Sequence, residues 1–226
     1  MRDRFVEKLE QLQKELLEMG MLCEEAIMKT YRLLVSTEDR DELTEEIDHL
    51  ENEIDGKEQA VESICMQLLL RQQPVASDLR RISAAMKMIT DMERIGDQAT
   101  DIAEIVKTGS IDIPVQEAAI TKMAEFTIRM VNRSVEAYVN RDLDLAREVI
   151  DSDDQLDAMF GVVRKNLTGT DSALSSEQAM DLLMIAKYYE RIGDHAQNIG
   201  EWVEFSITGI HRQGKKVYDV FHASVS

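Results

Sequence analysis

The sequence has few of the residues that make turns, strands or cross-links. Its 226 residues include two prolines, ten glycines and two cysteines, and aromatic side chains make up 5 %. A β-sandwich or a β-barrel needs many turns and β-forming residues, so this composition argues against both. Cys23 and Cys65 match no metal or redox spacing, and we expect two buried thiols in a reducing compartment.

Long hydrophobic runs are also missing. The longest clean apolar run, Leu182–Ala186, is far shorter than the roughly 20 residues that a membrane span needs. The N-terminal segment MRDRFVEKLE lacks the apolar core of a signal peptide. These absences predict a soluble, cytoplasmic protein that does not span a membrane.

Basic residues are scarce in relation to acidic ones. The chain has 26 Lys and Arg against 44 Asp and Glu, which gives a formal net charge of −18. Without a local basic patch, such a chain is repelled by nucleic-acid phosphates and by anionic lipid. We therefore expect no nucleic-acid partner, and we expect cations and basic protein surfaces as the natural partners.

A helical pattern runs along nearly the whole chain. Apolar residues recur at spacings of three and four, as at Leu9, Leu12 and Leu16. Pro74 and Pro114 suit the first turn of a helix, where the missing amide proton is tolerated. The pattern predicts an all-α protein of six long helices, over residues 3–35, 38–70, 74–108, 115–139, 142–167 and 175–211.

The chain contains an internal duplication. Residues 93–106 read ERIGDQATDIAEIV and residues 190–203 read ERIGDHAQNIGEWV, an offset of 97 with nine of the fourteen positions identical. A repeat of this length predicts two copies of one structural unit. We therefore predict two domains, 1–110 and 111–226, each an antiparallel bundle of three helices.

Acidic residues form a stripe on the repeated helix. Positions i, i+4 and i+7 of an α-helix fall within about 40° of one another. In the first copy this geometry groups Glu93, Asp97 and Glu104, and Asp101 lies beside them. In the second copy it groups Glu190, Asp194 and Glu201. Apolar residues fall on the opposite side, so we expect the acids on an outer face of the bundle.

The preceding helices carry further acidic stripes. Their members are Glu51, Asp55, Glu58 and Glu62 in the first half, and Asp153 and Asp157, at an offset of 102 from Glu51 and Asp55, in the second. Carboxylates this close together have raised pKa values or recruit a cation. Four or more from two neighbouring helices would suit Mg²⁺, Mn²⁺, Ca²⁺ or iron better than zinc. A purely solvated acidic face is the competing interpretation.

Other residues of the repeat have structural interpretations. Gly96 and Gly193 lie between the acids and the apolar side, where glycine costs about 1 kcal/mol relative to alanine, so we expect a neighbouring helix to approach closely. For Arg94 and Arg191 we favour ion pairs with the acids over contacts with phosphate. His195 lies off the stripe, and we expect it to be partly buried and not a ligand.

Three segments resemble the PhoU family of phosphate-uptake and phosphate-signalling regulators. They are RQQPVASDLRRI at 71–82, DMERIGDQATDIAE at 91–104 and YYERIGDHAQNIGE at 188–201. The resemblance covers essentially the whole chain. It implies a duplicated three-helix-bundle fold, no enzymatic activity and surface metal clusters. The positions that match the family's ligand motifs are Glu51, Asp55, Glu93, Asp97, Asp101, Asp153, Asp157, Glu190 and Asp194.

The resemblance also implies partners. It points to a cytoplasmic negative regulator that links the ATPase subunit of a phosphate ABC transporter to a sensor histidine kinase, and it suggests a homodimer. The implied ions are Mg, Mn or Fe, with Zn as a further option. Asn198 stands where the first copy has Asp101, so we expect the second cluster to hold fewer ions or to hold them more weakly.

Two alternatives stay open at this point. A carboxylate-bridged oxidase or hydrolase would need inward-facing ligands and histidines, and Glu46 with His49 supplies only half of such a di-iron motif. A plain helical adaptor would need no metal at all. Metal content and thermal stability of variants that lack the acids separate these alternatives.

Overall fold

The computed structural model describes residues 2–36, 39–71, 75–109, 111, 118–168 and 174–210. Within these ranges the chain forms six α-helices and no strand, which confirms the predicted all-α fold. The helices are α1 (Arg2–Val35), α2 (Arg40–Arg71), α3 (Ala76–Thr108), α4 (Ala118–Asn140), α5 (Leu143–Leu167) and α6 (Ser176–Thr208). Their ends lie within a few residues of the predicted ones. Pro74 and Pro114, the predicted helix starts, lie outside the described residues.

Local side chains determine several helix ends. Ser175 Oγ accepts a hydrogen bond from the Gln178 amide and Gln178 Oε1 accepts one from the Ser175 amide, each at 3.1 Å, so a capping box begins α6. At the start of α5, Asp142 accepts a hydrogen bond from the Leu145 amide at 2.9 Å. Gly209 follows α6 with φ +77°, a left-handed conformation that glycine adopts without strain.

The helices form two three-helix bundles that pack side by side. Helices α1, α2 and α3 contact one another in all three pairs, and so do α4, α5 and α6. The bundles meet where α3 packs against α6 and α1 against α4. Helices α2, α3, α6 and α5 therefore lie in a row, with α1 and α4 on one side of it. Buried residues of both halves form one continuous core, and the predicted division at residue 110 stays a prediction.

The apolar sides of the two repeated helices lie in this core. The buried residues at matching positions are Met88, Met92, Ile95, Ala99, Ile102 and Val106 in α3 and Ile185, Tyr189, Ile192, Ala196, Ile199 and Val203 in α6. The thiols of Cys23 and Cys65 are free and buried, as expected. No helix in the described part of the chain combines the length and apolar character that crossing a membrane requires.

Three polar contacts join the halves across the α3–α6 seam. Asp91 Oδ1 lies 2.9 Å from His195 Nδ1 and accepts a hydrogen bond from Asn198 Nδ2 at 3.1 Å. Further along, the hydroxyl of Tyr188 hydrogen-bonds to Asp101. The repeat offset of 97 relates Asp91 to Tyr188 and Asp101 to Asn198. The Asp91–Asn198 and Asp101–Tyr188 contacts are therefore counterparts in an antiparallel, pseudo-symmetric helix pair. His195 is partly buried, as expected, and it also connects the two halves.

Candidate functional site

The first acidic cluster lies along the seam between α2 and α3. Its members are Glu51, Asp55 and Glu58 on α2 and Glu93 and Asp97 on α3, all half-buried. Burial and then the charges of Asp55 and Asp97 raise the pKa of Glu51. Burial and then Asp97 raise the pKa of Glu93, and Glu58 and Asp55 add to this from the other helix. The carboxylates of the two helices therefore interact, as the paired stripes predicted.

One cation lies within the first cluster. Arg94 Nη1 donates a hydrogen bond to Asp97 Oδ2 at 2.9 Å, and Arg94 Nε lies 3.4 Å from Glu93 Oε2. This confirms the ion pair expected of Arg94. Glu93 Oε2 is nevertheless buried and has no hydrogen-bond partner among the described residues. A buried carboxylate oxygen without a partner costs free energy, because it has lost its water.

The second acidic cluster lies along the seam between α5 and α6. It consists of Asp153 and Asp157 on α5 and Glu190 and Asp194 on α6. Asp153 is only 9 % exposed, and in the described structure its Oδ1 has no hydrogen-bond partner. Burial raises the pKa of Asp153 to about 6, with further contributions from Asp194, Asp157 and Glu190.

The burial of Asp153 corrects one expectation. We expected every acid of the stripes on an outer face, and the other members of both clusters are at least partly exposed. A Cβ atom on Gly193 would lie 2.1 Å from Leu156 Cδ2 and 3.7 Å from Asp153 Oδ1, so the absence of a side chain lets α5 approach α6 and cover Asp153. A helical wheel treats one helix in isolation, so it could not predict that the neighbouring helix would cover Asp153.

The repeated glycines have the role that the sequence predicted. A Cβ atom on Gly96 would lie 3.1 Å from Ile54 Cδ1, and the corresponding contact of Gly193 is with Leu156. Ile54 and Leu156 are related by the same offset of 102 that relates the acids of α2 and α5. Each half therefore uses a glycine to bring two acid-bearing helices together.

Asp101 lies apart from the other predicted ligands of the first half. Burial raises its pKa, while its hydrogen bond with Tyr188 of α6 lowers it. Asp101 therefore belongs mainly to the seam between the halves, although the charge of Asp97 also acts on it. Asn198, its counterpart, hydrogen-bonds Asp91 in the same seam.

Sequence reasoning missed the cation of the second cluster. Lys187 Nζ donates a hydrogen bond to Glu190, and it lies 5.5 Å from the centroid of the Phe160 ring. The guanidinium of Arg191, for which we expected an ion pair, lies over the ring of Tyr188 at 5.9 Å from its centroid. The offset of 97 equates Lys187 with the neutral Thr90, so comparing the copies position by position could have revealed the difference.

The described residues offer no preassembled ligand set. Within them, no group of three or more His, Cys, Asp or Glu side chains is placed so that it could hold a metal ion. Arg94 and Lys187 are the cations that lie among the carboxylates. Glu46 and His49, the half-motif of a di-iron site, pair with other residues. Glu46 Oε2 lies 2.9 Å from Lys29 Nζ, and His49 Nδ1 lies 3.2 Å from Glu53 Oε1.

Comparison with known proteins assigns the chain to a family. A family model described as the PhoU domain matches residues 16–106 and 120–203, once in each half. The chain belongs to the PhoU family. The expectation drawn from the repeated ERIGD motif is thereby confirmed.

PhoU relatives match nearly the full length of the chain. The phosphate-specific transport system accessory protein PhoU homolog of Clostridium acetobutylicum is 36 % identical over 211 residues, covering 91 % of this chain and 94 % of that protein. The protein of the same name from Rhizobium meliloti is 28 % identical and covers 95 % and 92 % of the two chains. These names describe accessory proteins and not enzymes, as we expected for this family.

Solved PhoU structures have the same fold. The crystal structure of PhoU from Pseudomonas aeruginosa matches with a TM-score of 0.82 at 27 % identity, over 91 % of this chain and all of that one (100 %). The phosphate transport system regulatory protein PhoU from Streptococcus pneumoniae matches with a TM-score of 0.83 at 26 % identity, over 92 % and 98 % of the two chains. The duplicated six-helix arrangement is therefore the PhoU fold.

Proposed function

We propose that this PhoU-family chain is a non-enzymatic accessory protein of a phosphate transport system. The observation that carries the proposal is the 36 % identity, over nearly the whole of both chains, to the accessory protein of Clostridium acetobutylicum. The chain acts as a cytoplasmic homodimer and as a negative regulator of phosphate uptake. It connects the ATPase subunit of the phosphate ABC transporter to a sensor histidine kinase.

The acidic clusters bind metal ions in this proposal. Two observations support it. Glu93 Oε2 and Asp153 Oδ1 are buried oxygens that the described residues leave without a hydrogen-bond partner. Burial, followed by repulsion from neighbouring carboxylates, raises the pKa of several acids in both clusters. A cation relieves both costs, since it supplies a partner for the oxygens and offsets the repulsion. Carboxylate oxygens suit Mg²⁺, Mn²⁺ or iron, and zinc less well.

The residues that would hold the ions lie on facing helices of each half. They are Glu51, Asp55, Glu93 and Asp97 in the first cluster and Asp153, Asp157, Glu190 and Asp194 in the second. Asp101 would act on the first cluster from the side, while its carboxylate bonds to Tyr188. A bound ion would draw the carboxylates together and release Arg94 and Lys187 from them.

Docking follows from the charge of these surfaces. The chain has a formal net charge of −18, and both clusters lie on the row formed by α2, α3, α6 and α5. A bound ion lowers the negative charge of this row of helices and changes how the charge is distributed along it. Partner proteins with basic surfaces would then distinguish the loaded protein from the unloaded one.

A binding experiment tests this proposal. The purified chain is titrated with the transporter's ATPase subunit and, separately, with the cytoplasmic part of the sensor kinase, with Mn²⁺ or with a chelator. We expect both partners to bind, and more tightly with Mn²⁺. The control is a variant with Glu93→Gln, Asp97→Asn, Glu190→Gln and Asp194→Asn, which should lose the Mn²⁺ effect. Failure of both partners to bind in every condition would contradict the regulatory role.

A further inference from the structure

The outer side of α1 carries exposed apolar residues. Leu17, Met21 and Met28 are 44 %, 62 % and 46 % exposed, and Val6 and Val35 are exposed as well. The first three positions fall within about 40° of one another on an α-helix, and the two valines lie close to the same line. Helix α1 packs against α2, α3 and α4 with its other sides. We call these five residues the apolar face of α1.

The equivalent side of α4 is polar. The family model matches from residue 16 in the first half and from residue 120 in the second, which gives an offset of 104 between α1 and α4. Buried positions agree with this offset, as at Met19 and Met123. On α4 the counterparts of the central apolar residues are Thr121, Glu125 and Asn132. The shared fold therefore does not require apolar residues at these positions, and the apolar face of α1 needs another explanation.

Charged residues lie beside the apolar face in a self-complementary order. Lys14 lies three residues before Leu17, and Glu24 lies three residues after Met21. The side chain of Lys14 is 74 % exposed, and Glu24 is half-buried. When two copies of α1 lie antiparallel, with Leu17 of each facing Met21 of the other, each Lys14 lies opposite a Glu24. The surface is thus complementary to itself in both its apolar and its charged residues.

We propose that two copies of this chain pair through the apolar face of α1, with the two helices antiparallel around a two-fold axis. The proposal specifies the interface of the homodimer in the proposed function and rests on that function. A two-fold axis repeats every contact, so Leu17 and Met21 supply four apolar side chains at the centre. Lys14 and Glu24 supply two ion pairs beside them. A parallel arrangement would set Lys14 against Lys14 and Glu24 against Glu24, which repulsion between like charges disfavours.

This pairing does not depend on the acidic clusters. Their members lie on α2, α3, α5 and α6, and none lies on α1. The formal net charge of −18 on each chain opposes self-association in general. An interface between two such chains therefore needs an apolar centre and balanced local charges, and the outer side of α1 offers both.

Sedimentation equilibrium of the full chain, with a chelator present, tests the proposal. The parent chain should sediment as a dimer at micromolar concentrations. Met21→Glu places a charge at the centre of the interface, and we expect it to raise the dimer dissociation constant about 100-fold or more. Met180→Glu makes the same substitution at an exposed side chain near the start of α6 and should leave the constant unchanged.

Exchange of the flanking charges tests the pairing of Lys14 with Glu24. Lys14→Glu and Glu24→Lys should each weaken the dimer about tenfold, because each sets like charges opposite one another twice. The double variant restores opposite charges and should recover most of the parent affinity. Damage to α1 itself would not be reversed by a second substitution, and circular dichroism checks that all three variants are folded.

A disulfide tests the antiparallel register. Lys14→Cys combined with Glu24→Cys should form a disulfide between the two chains on mild oxidation. Within one chain these positions lie roughly 15 Å apart, which is too far for a disulfide. Neither single variant should cross-link, since the two copies of one position are separated by a similar distance. The native Cys23 and Cys65 are buried.

The outcomes separate the interface from the proposed function. A monomeric parent chain would contradict the homodimer itself, and the apolar face would then serve a different partner. If the parent chain is a dimer but Met21→Glu weakens it no more than Met180→Glu does, the two copies pair through another surface. Cross-linking of either single cysteine variant would overturn the antiparallel arrangement, and a double charge variant as weak as the single ones would overturn the pairing of Lys14 with Glu24.

Discussion

At the scale of single residues, the glycines of α2, α3, α5 and α6 test how closely the acid-bearing helices pack. Gly193→Ala places a methyl group 2.1 Å from Leu156 Cδ2, in a fully buried contact. We expect it to lower the free energy of unfolding by about 1–3 kcal/mol. For Gly161→Ala no described atom lies within 4 Å of the new Cβ, so helix propensity should raise that free energy by about 0.5–1 kcal/mol. Urea unfolding of both variants is the measurement, and equal effects would contradict the close approach.

Asp153 predicts how stability depends on pH. Its pKa is about 6 in the folded protein, against about 3.9 in an unfolded chain. Between these values the folded protein binds more protons, so the free energy of unfolding falls as pH rises from about 4 to about 6. Asp153→Asn removes the contribution of this residue, while the raised pKa values of Glu51, Glu93 and Asp194 leave a dependence of the same sign. With a chelator present, the variant should gain stability relative to the parent protein between about pH 4 and pH 7, by at most about 3 kcal/mol. Parallel unfolding profiles against pH would contradict the burial of this carboxylate.

The sequence predicted which acids lie on facing helices, but it did not predict their burial or the cations beside them. Glu93, Asp97, Glu190 and Asp194 could be placed near their partner acids because helical periodicity and the repeat fix one face of each helix. The burial of Asp153 could not be predicted, since it depends on how deeply α5 packs onto α6. Lys187 was missed because it differs between the copies, and we compared the copies for what they share.

At the scale of elements, hydrogen bonds between the halves add to the apolar packing of α3 against α6. Asp91→Ala removes an acceptor that serves His195 and Asn198, so it should destabilise the protein by about 1–2 kcal/mol. Combined with His195→Ala, the two effects should be less than additive, because both variants break one contact. His49→Ala, at a side chain that is 74 % exposed, should change stability little. A double-mutant cycle by urea unfolding measures the coupling, and additive effects would show that the contact does not join the halves.

The six helices were predictable because each has a strongly periodic apolar side. Their ends differ from the predicted ones by a few residues, since an end depends on individual caps such as the hydrogen bonds between Ser175 and Gln178. The pairing of α3 with α6 was not predicted. Periodicity gives the side that a helix buries, but it does not say which helix lies on that side.

At the scale of the whole molecule, the duplication gives two acidic surfaces on one continuous core. The halves have kept the glycines, the apolar positions and the paired acids, and they differ in the charges beside those acids. The family and the fold could be read from the repeated motif, whereas the ions and the partners are proposals that need experiments.

Bound ions should also stabilise the whole molecule. A ligand that binds only the folded chain raises the free energy of unfolding by about 2.7 kcal/mol when its concentration is 100 times the dissociation constant. Saturating Mn²⁺ should therefore raise Tm, and Glu93→Gln combined with Asp97→Asn, Glu190→Gln and Asp194→Asn should abolish the increase. Thermal unfolding with Mn²⁺ or with a chelator measures it. An increase of equal size in both proteins would place the stabilising ion outside these clusters.

Elemental analysis of the purified protein tests the central claim, metal binding by the acidic clusters, most directly. The parent chain and the four-carboxylate variant are each incubated with Mn²⁺ or Fe²⁺, freed of unbound ions and measured side by side. We predict bound metal in the parent chain and its loss in the variant. Absence of metal from both proteins, or equal amounts in both, would contradict the claim and leave the stripes as a solvated acidic surface.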